Sequence, residues 1–191
     1  MNKKILLDEL KKNMETDEGL PLFGSATLVF GEGDPEARVM FIGEAPGFFE
    51  DKVGRPFVGR AGKLLGKLLA DIGWPRGSVY ISNIVKRRPP ENRDPLPEEI
   101  EAYKPYLKKQ IKIIDPKVIA TLGRFSMNYF LPNAKISLDH GKPVIVKTKE
   151  KSVLILPLYH PAAALRSTNV LKELEKDFKK LPALLNLKTK A

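Results

Sequence analysis

The sequence predicts an α/β fold, a three-layer α/β/α sandwich around a central four-stranded parallel sheet, and three observations carry that prediction. Four short apolar runs, residues 38–43, 79–81, 117–122 and 152–157, have the continuous hydrophobic character of strands buried on both faces. Segments with apolar residues at helical spacing separate them, so strand and helix alternate and successive strands run parallel. The residues that stand out chemically, Glu44, Asn83 and His160, come at or just after the C-terminal ends of three of those runs. An open α/β sheet builds its binding crevice at those ends.

Taken in order, Ile5, Leu6, Leu7, Leu10 and Met14 lie among lysines and acids as one face of an amphipathic helix over residues 2–14, and Gly19-Leu20-Pro21 ends the pattern. A short apolar stretch at 27–30 leads into the turn Gly31-Glu32-Gly33-Asp34-Pro35. The first central strand, 38–43, opens into a connection over residues 43–63 rich in glycine, proline and charge, and a connection of that length usually carries function. Leu64, Leu65, Leu68, Leu69 and Ile72 then form a helical face that stops at Gly73, before Trp74-Pro75. The second strand leads to Asn83, and residues 86–97 form a polar, proline-rich loop. Pro97-Glu98-Glu99 starts a helix to about residue 113, with proline and acids where the helix dipole favours them. The third strand is followed by Gly123 and a helix over 124–130. The fourth runs into Leu158-Tyr159-His160-Pro161, and a helix over 170–184 closes the chain.

A chain of 191 residues with 42% hydrophobic content is read as one domain over 1–191: helix and loop at 1–26, core at 27–184, basic tail at 185–191. There is no cysteine, which removes disulfides, thiolate-held metals and cysteine nucleophiles. Thirty-three Lys and Arg against 23 Asp and Glu give a net charge of +10, which favours a polyanionic partner, nucleic acid before an anionic membrane. No apolar run reaches membrane length and the N-terminus has no signal-like core, so a soluble cytoplasmic protein, associating with the nucleoid when it acts, is expected, monomeric by default. One glutamine and abundant Lys and Glu point towards a heat-adapted source.

Several chemistries fail on spacing. Gly62-Lys63 before a helix resembles a phosphate loop, but Leu64 stands where a magnesium-binding hydroxyl belongs. Gly31-Glu32-Gly33 precedes the first strong strand, so it is a plain turn and not a dinucleotide site. Two histidines leave little for a histidine-built metal centre, and none is expected. His140 reads as a turn residue. His160 differs, since it leaves a strand into Pro161-Ala162-Ala163-Ala164, where small side chains admit close approach. An aromatic face at Phe57, an amide at Asn83 and an imidazole at His160 together suit the reading of a pyrimidine turned out of a duplex, and the positive charge suits its phosphates.

These stretches resemble the uracil-DNA glycosylase superfamily, and within it the bacterial and archaeal family 4. The resemblance rests on Gly43-Glu44-Ala45-Pro46-Gly47, on residues 54–62, on Asn83-Ile84-Val85-Lys86 with residues 88–93, on residues 116–123 and on His160-Pro161-Ala162-Ala163. It implies a glycosylase that flips uracil from DNA, hydrolyses its bond to deoxyribose and leaves an abasic site uncut. By position, Ala45, Phe57, Asn83 and His160 bind uracil, while Glu44 and Glu50, with His160, serve catalysis. Arg60, Lys86, Arg88, Asn92, Ala162, Leu165 and Arg166 fall to DNA contact, with Leu165 and Arg166 at the superfamily's minor-groove wedge. The basic tail Lys188-Thr189-Lys190 and the N-terminal helix are candidate contacts for unidentified repair partners. Two alternatives stay open: a catalytically weak nucleic-acid-binding relative, or a glycosylase for another deaminated base such as hypoxanthine.

Two departures from the family pattern stand out. Ala45 occupies the position where other branches place a water-activating Asp or Asn. Family 4 also holds an iron-sulfur cluster on four cysteines, which align near Thr16, Gly19, Arg87 and Tyr103. Without cysteine the cluster is expected to be absent, and packing of Tyr103 against the Arg87 loop is expected to replace its bracing.

Overall fold

The computed structural model describes residues 2–147 and 152–187. Its strands are β1 (Glu32–Gly33), β2 (Val39–Gly43), β3 (Tyr80–Asn83), β4 (Val118–Leu122), β5 (Val144–Lys147) and β6 (Ser152–Leu158). They form one sheet in the order β1-β3-β2-β4-β6-β5. The inner four are mutually parallel, as expected, and β1 and β5 add antiparallel edges. The sheet is therefore six strands wide, and the four predicted strands are its centre.

The helices are α1 (Lys3–Glu15), α2 (Phe48–Val53), α3 (Arg60–Asp71), α4 (Pro97–Ile114), α5 (Arg124–Phe130), α6 (Ile136–Asp139), α7 (Pro161–Ala164), α8 (Thr168–Phe178) and α9 (Leu181–Asn186). Side chains alternate across a strand, so every inner strand feeds two cores. Val39 and Phe41 of β2 join Leu65, Leu68 and Leu69 of α3, Leu174 and Phe178 of α8, and Leu181 and Leu184 of α9. Met40 and Ile42 join Leu7, Leu10 and Met14 of α1, and Tyr103, Leu107 and Ile114 of α4. Helices on both faces of a mostly parallel sheet give the three layers.

Three boundaries differ from the sequence reading. Residues 31–35, expected as a plain turn, also contain the short strand Glu32–Gly33 paired with β3, with Gly31 and Gly33 both at positive φ. Strand β5 escaped notice because an edge strand needs no apolar alternation, and Ile145 is indeed exposed. The closing helix is two helices, since Pro182 has no N–H to continue a ladder from α8. The connection over residues 43–63 contains a short helix, α2, closed by Gly54 at φ +71°. Lys188-Thr189-Lys190, candidate partner contacts, lie outside the described residues. No helix among the described residues is long and apolar enough to cross a membrane.

At the sheet's second core, which Tyr103 joins, Arg87 donates to the Tyr103 hydroxyl at 3.1 Å, and that hydroxyl donates to the Pro21 carbonyl at 2.6 Å. The Arg87 guanidinium also lies 5.2 Å from the Phe23 ring centroid. This polar pin ties the N-terminal loop to α4 and to the loop after β3.

Candidate active site

The parallel register brings the marked residues together. Gly43 of β2 pairs with Asn83 of β3, the last residue of each strand. A Cβ on Gly43 would sit 2.4 Å from Asn83 Oδ1 and 2.7 Å from Phe57 Cζ, so only glycine lets the amide and the ring share this corner. Phe57 is buried and holds φ +52°, a left-handed conformation that costs a non-glycine residue roughly 1–3 kcal/mol. Gly62 of α3 receives it closely: a Cβ there would lie 1.8 Å from the Phe57 carbonyl oxygen.

His160 precedes α7, and its ring centroid lies 5.7 Å from that of Phe57. The Ala162 amide donates to His160 Nδ1 at 3.1 Å, which leaves the proton of a neutral imidazole on Nε2. Burial pushes its pKa down to about 4, against the opposing pull of the Glu50 carboxylate. At neutral pH it is an uncharged donor.

A cavity of about 430 Å³ opens here, lined among others by Glu44, Ala45, Phe57, Asn83, Asn92 and His160. That is the size range of small-molecule sites. Asn83 is 2% exposed, and its amide oxygen has no hydrogen-bond partner among the described residues. Leaving a buried acceptor so costs about 1–3 kcal/mol.

The two glutamates have different surroundings. Burial raises the Glu44 carboxyl to about 7, and Asp94 adds to the rise, while the Phe125 amide at 3.4 Å and the Arg124 charge pull it down. Gly123, at φ +95°, makes room for it, since a Cβ there would lie 2.3 Å from Glu44 Oε1. Glu50 is engaged by the backbone instead: Oε1 accepts from Val58 and Gly59 at 2.9 Å and Oε2 from Gly47 at 3.2 Å. It ties the two ends of its own loop together.

Among the residues expected at DNA, Ala162, Arg166 and Asn92 line the cavity. Arg60 is exposed, Leu165 is 41% exposed, and Arg88 is half-buried with its Nε donating to Asn92 Oδ1 at 2.7 Å. Lys86 is a correction. It is fully buried, donating to Ser82 Oγ at 2.5 Å and Gln110 Oε1 at 2.6 Å, and cannot reach a phosphate. It lies three residues beyond the end of β3, and burial lowers its pKa well below the usual lysine range.

Sequence reasoning passed over Asp94 and Arg124, which form an exposed ion pair at 2.5 Å beside the cavity, and the room Gly123 makes for Glu44. A glycine directly after the third strand was the available signal. The chain has no cysteine, and no group of three or more His, Asp or Glu among the described residues is placed to hold a metal. Of Thr16, Gly19, Arg87 and Tyr103, where the sequence resemblance implies the family's cluster ligands, the last two are bonded to each other. A guanidinium and a phenol in that space do not fit an iron-sulfur cluster.

The uracil DNA glycosylase superfamily model matches residues 30–183. The chain is 52% identical to a type-4 uracil-DNA glycosylase of Sulfurisphaera tokodaii over 93% of its own length and 84% of the relative's. It is 46% identical to that of Archaeoglobus fulgidus (95% and 94%) and 41% identical to that of Thermotoga maritima (90% and 92%). A buried amide with an unpartnered oxygen after β3, an aromatic face between α2 and α3 and a neutral imidazole after β6 thus fall inside a match that spans most of the molecule, and the chain belongs to the uracil DNA glycosylase superfamily.

Proposed function

We propose that this protein excises uracil from DNA as a monofunctional glycosylase of the type-4 kind, acting as a monomer without an iron-sulfur cluster or metal. The observation that carries the reading is the unpartnered Asn83 oxygen, buried in a corner it shares with the Phe57 ring, with the His160 imidazole against that ring. Uracil presents N3–H as donor and O4 as acceptor, so the amide accepts from the first and donates to the second. Cytosine presents the reverse at those atoms and leaves both amide groups mismatched, which discriminates strongly in a dry pocket.

In the reaction the bond from N1 to C1′ breaks with both electrons going to N1. Charge develops on the uracil ring, and His160 Nε2–H donates to O2 where it accumulates. The neutral ring can make this donation because Nδ1 accepts from the Ala162 amide and the remaining proton sits on Nε2. The sugar becomes oxocarbenium-like, and the oxygen of a water bonds to C1′. One water proton passes to Glu44 or onward to solvent and uracil, so free uracil and an abasic sugar result. With Ala45 unable to hold the water, Glu44 is the side chain with a pKa suited to that role. Glu50, its oxygens occupied by amides, serves as the loop clamp that positions Phe57. Arg60, Arg88, Asn92, Ala162, Leu165 and Arg166 meet the strand around the flipped nucleotide.

Incubation with oligonucleotides carrying U opposite G, U opposite A, single-stranded U or hypoxanthine, followed by alkaline cleavage of abasic sites, tests this. Alkali-labile sites at uracil are expected. Binding without them would sink the reading, and cleavage at hypoxanthine alone would reassign the base.

A further inference from the structure

Helix α2 carries two phenylalanines that the fold does not use. Phe48 is 44% exposed and Phe49 58%, and neither joins either hydrophobic core. Their rings meet edge to face at 5.5 Å. Lys52 Nζ lies 4.7 Å from the Phe48 centroid and the Arg88 guanidinium 5.1 Å from it, so the ring is flanked by two cations. Arg88 in turn donates to Asn92, which lines the cavity, and Gly47, which lines it too, directly precedes Phe48. The aromatic pair therefore continues the rim of the base pocket.

Exposed apolar surface rimmed by polar groups marks an interaction site. Adjacent aromatic faces beside cations are what single-stranded nucleic acid requires, with rings to stack bases and charges to follow the backbone. We propose that Phe48 and Phe49 form a stacking platform for an unpaired nucleobase neighbouring the flipped uridine, so that the protein engages uracil in single-stranded DNA. This rests on the glycosylase reading for the identity of the flipped base, while the platform itself is defined by the aromatic and cationic surface. The charge complementarity of Lys52 and Arg88 and the continuity with the base pocket commit the occupant to a DNA strand.

The test uses the full chain and a single-stranded uracil oligonucleotide, intact or with the nucleotide on one side of the uridine replaced by a tetrahydrofuran abasic residue. Affinity is read by fluorescence anisotropy and uracil release by alkaline cleavage. Phe48→Ala with Phe49→Ala is expected to weaken binding of the intact strand about 5- to 150-fold. It is also expected to remove the wild type's sensitivity to the abasic neighbour, while Phe48→Trp retains both. Both side chains being exposed, the thermal midpoint should hold, and Phe48→Leu, which keeps apolar surface without a ring face, should bind like the alanine form. Equal affinity of wild type and double variant for the intact strand, or wild-type indifference to the abasic neighbour on either side, overturns the platform. If Phe48→Leu binds as wild type, the patch is generic apolar surface and the platform falls as well. Loss of binding in the double variant alongside no uracil release by the wild type would sustain the platform and defeat the glycosylase reading, so the two failures are separable.

Discussion

At the scale of single residues, the pocket is built from groups whose ordinary properties burial has changed. Glu44 is raised to about 7, so it becomes a carboxylate only near neutrality. Uracil release by the wild type is therefore expected to rise with pH through about 7, and Glu44→Gln should lower the rate and flatten that limb in single-turnover assays. His160 stays neutral down to about 4, so it imposes no competing step in that range. Removing its donor with His160→Ala should cost about 100- to 1,000-fold in the rate of the chemical step, in line with the loss of one preorganised donor to a developing oxyanion. Asn83 and His160 stood out in the sequence only in company, as an amide and an imidazole following two strands beside the aromatic Phe57 and within the family's motifs, and the fold brings all three to one cavity. Lys86 was misread. A lysine in a basic protein looks like surface, and the sequence does not reveal that the segment after β3 buries it against Ser82 and Gln110.

Elements hold those residues in place through close approach more than through hydrogen bonds. The first turn of α3 meets Phe57 at Gly62, where a Cβ would lie 1.8 Å from backbone oxygen. Gly62→Ala is expected to destabilise the fold by about 1–3 kcal/mol, as overpacking does, and to raise KM for uracil DNA more than circular dichroism would suggest, because Phe57 must shift. Loop residues also separate by what their element does with them. Arg166→Ala, after α7, should reduce the slope of log affinity against log salt by about one, whereas Lys86→Met should leave that slope unchanged. Helix periodicity made α1, α3 and α4 readable because each buries one continuous stripe, while α2 and β5 were hidden. A six-residue helix and an edge strand bury too little to impose a period.

Across the whole molecule, acid stability depends on the buried titratable groups of the cavity. His160 is held below its unfolded value, so its stabilising contribution is present above about 6.5 and lost as pH falls towards 4. Glu44 is held above its unfolded value, so its contribution is present below about 4.5 and lost as pH rises through 7. Glu44→Gln is therefore expected to raise the thermal midpoint at pH 8 relative to wild type and to leave it little changed at pH 4. The pin of Arg87, Tyr103 and Pro21 is a hydrogen-bonded brace between the N-terminal loop, α4 and the loop after β3, and the contact of Tyr103 with the Arg87 loop was an expectation of the sequence. By itself the sequence determined the alternation of strand and helix and the family, because hydrophobic period and motif order are local and additive along the chain. Only the tertiary structure decided that three backbone amides engage Glu50 while one long contact from Phe125 reaches Glu44, that Lys86 is interior, that the Asn83 oxygen is unpartnered, and that Phe48 and Phe49 remain outside both cores. Those depend on which surfaces meet once the sheet closes its layers, and burial is a property of the assembled neighbours, not of the residue.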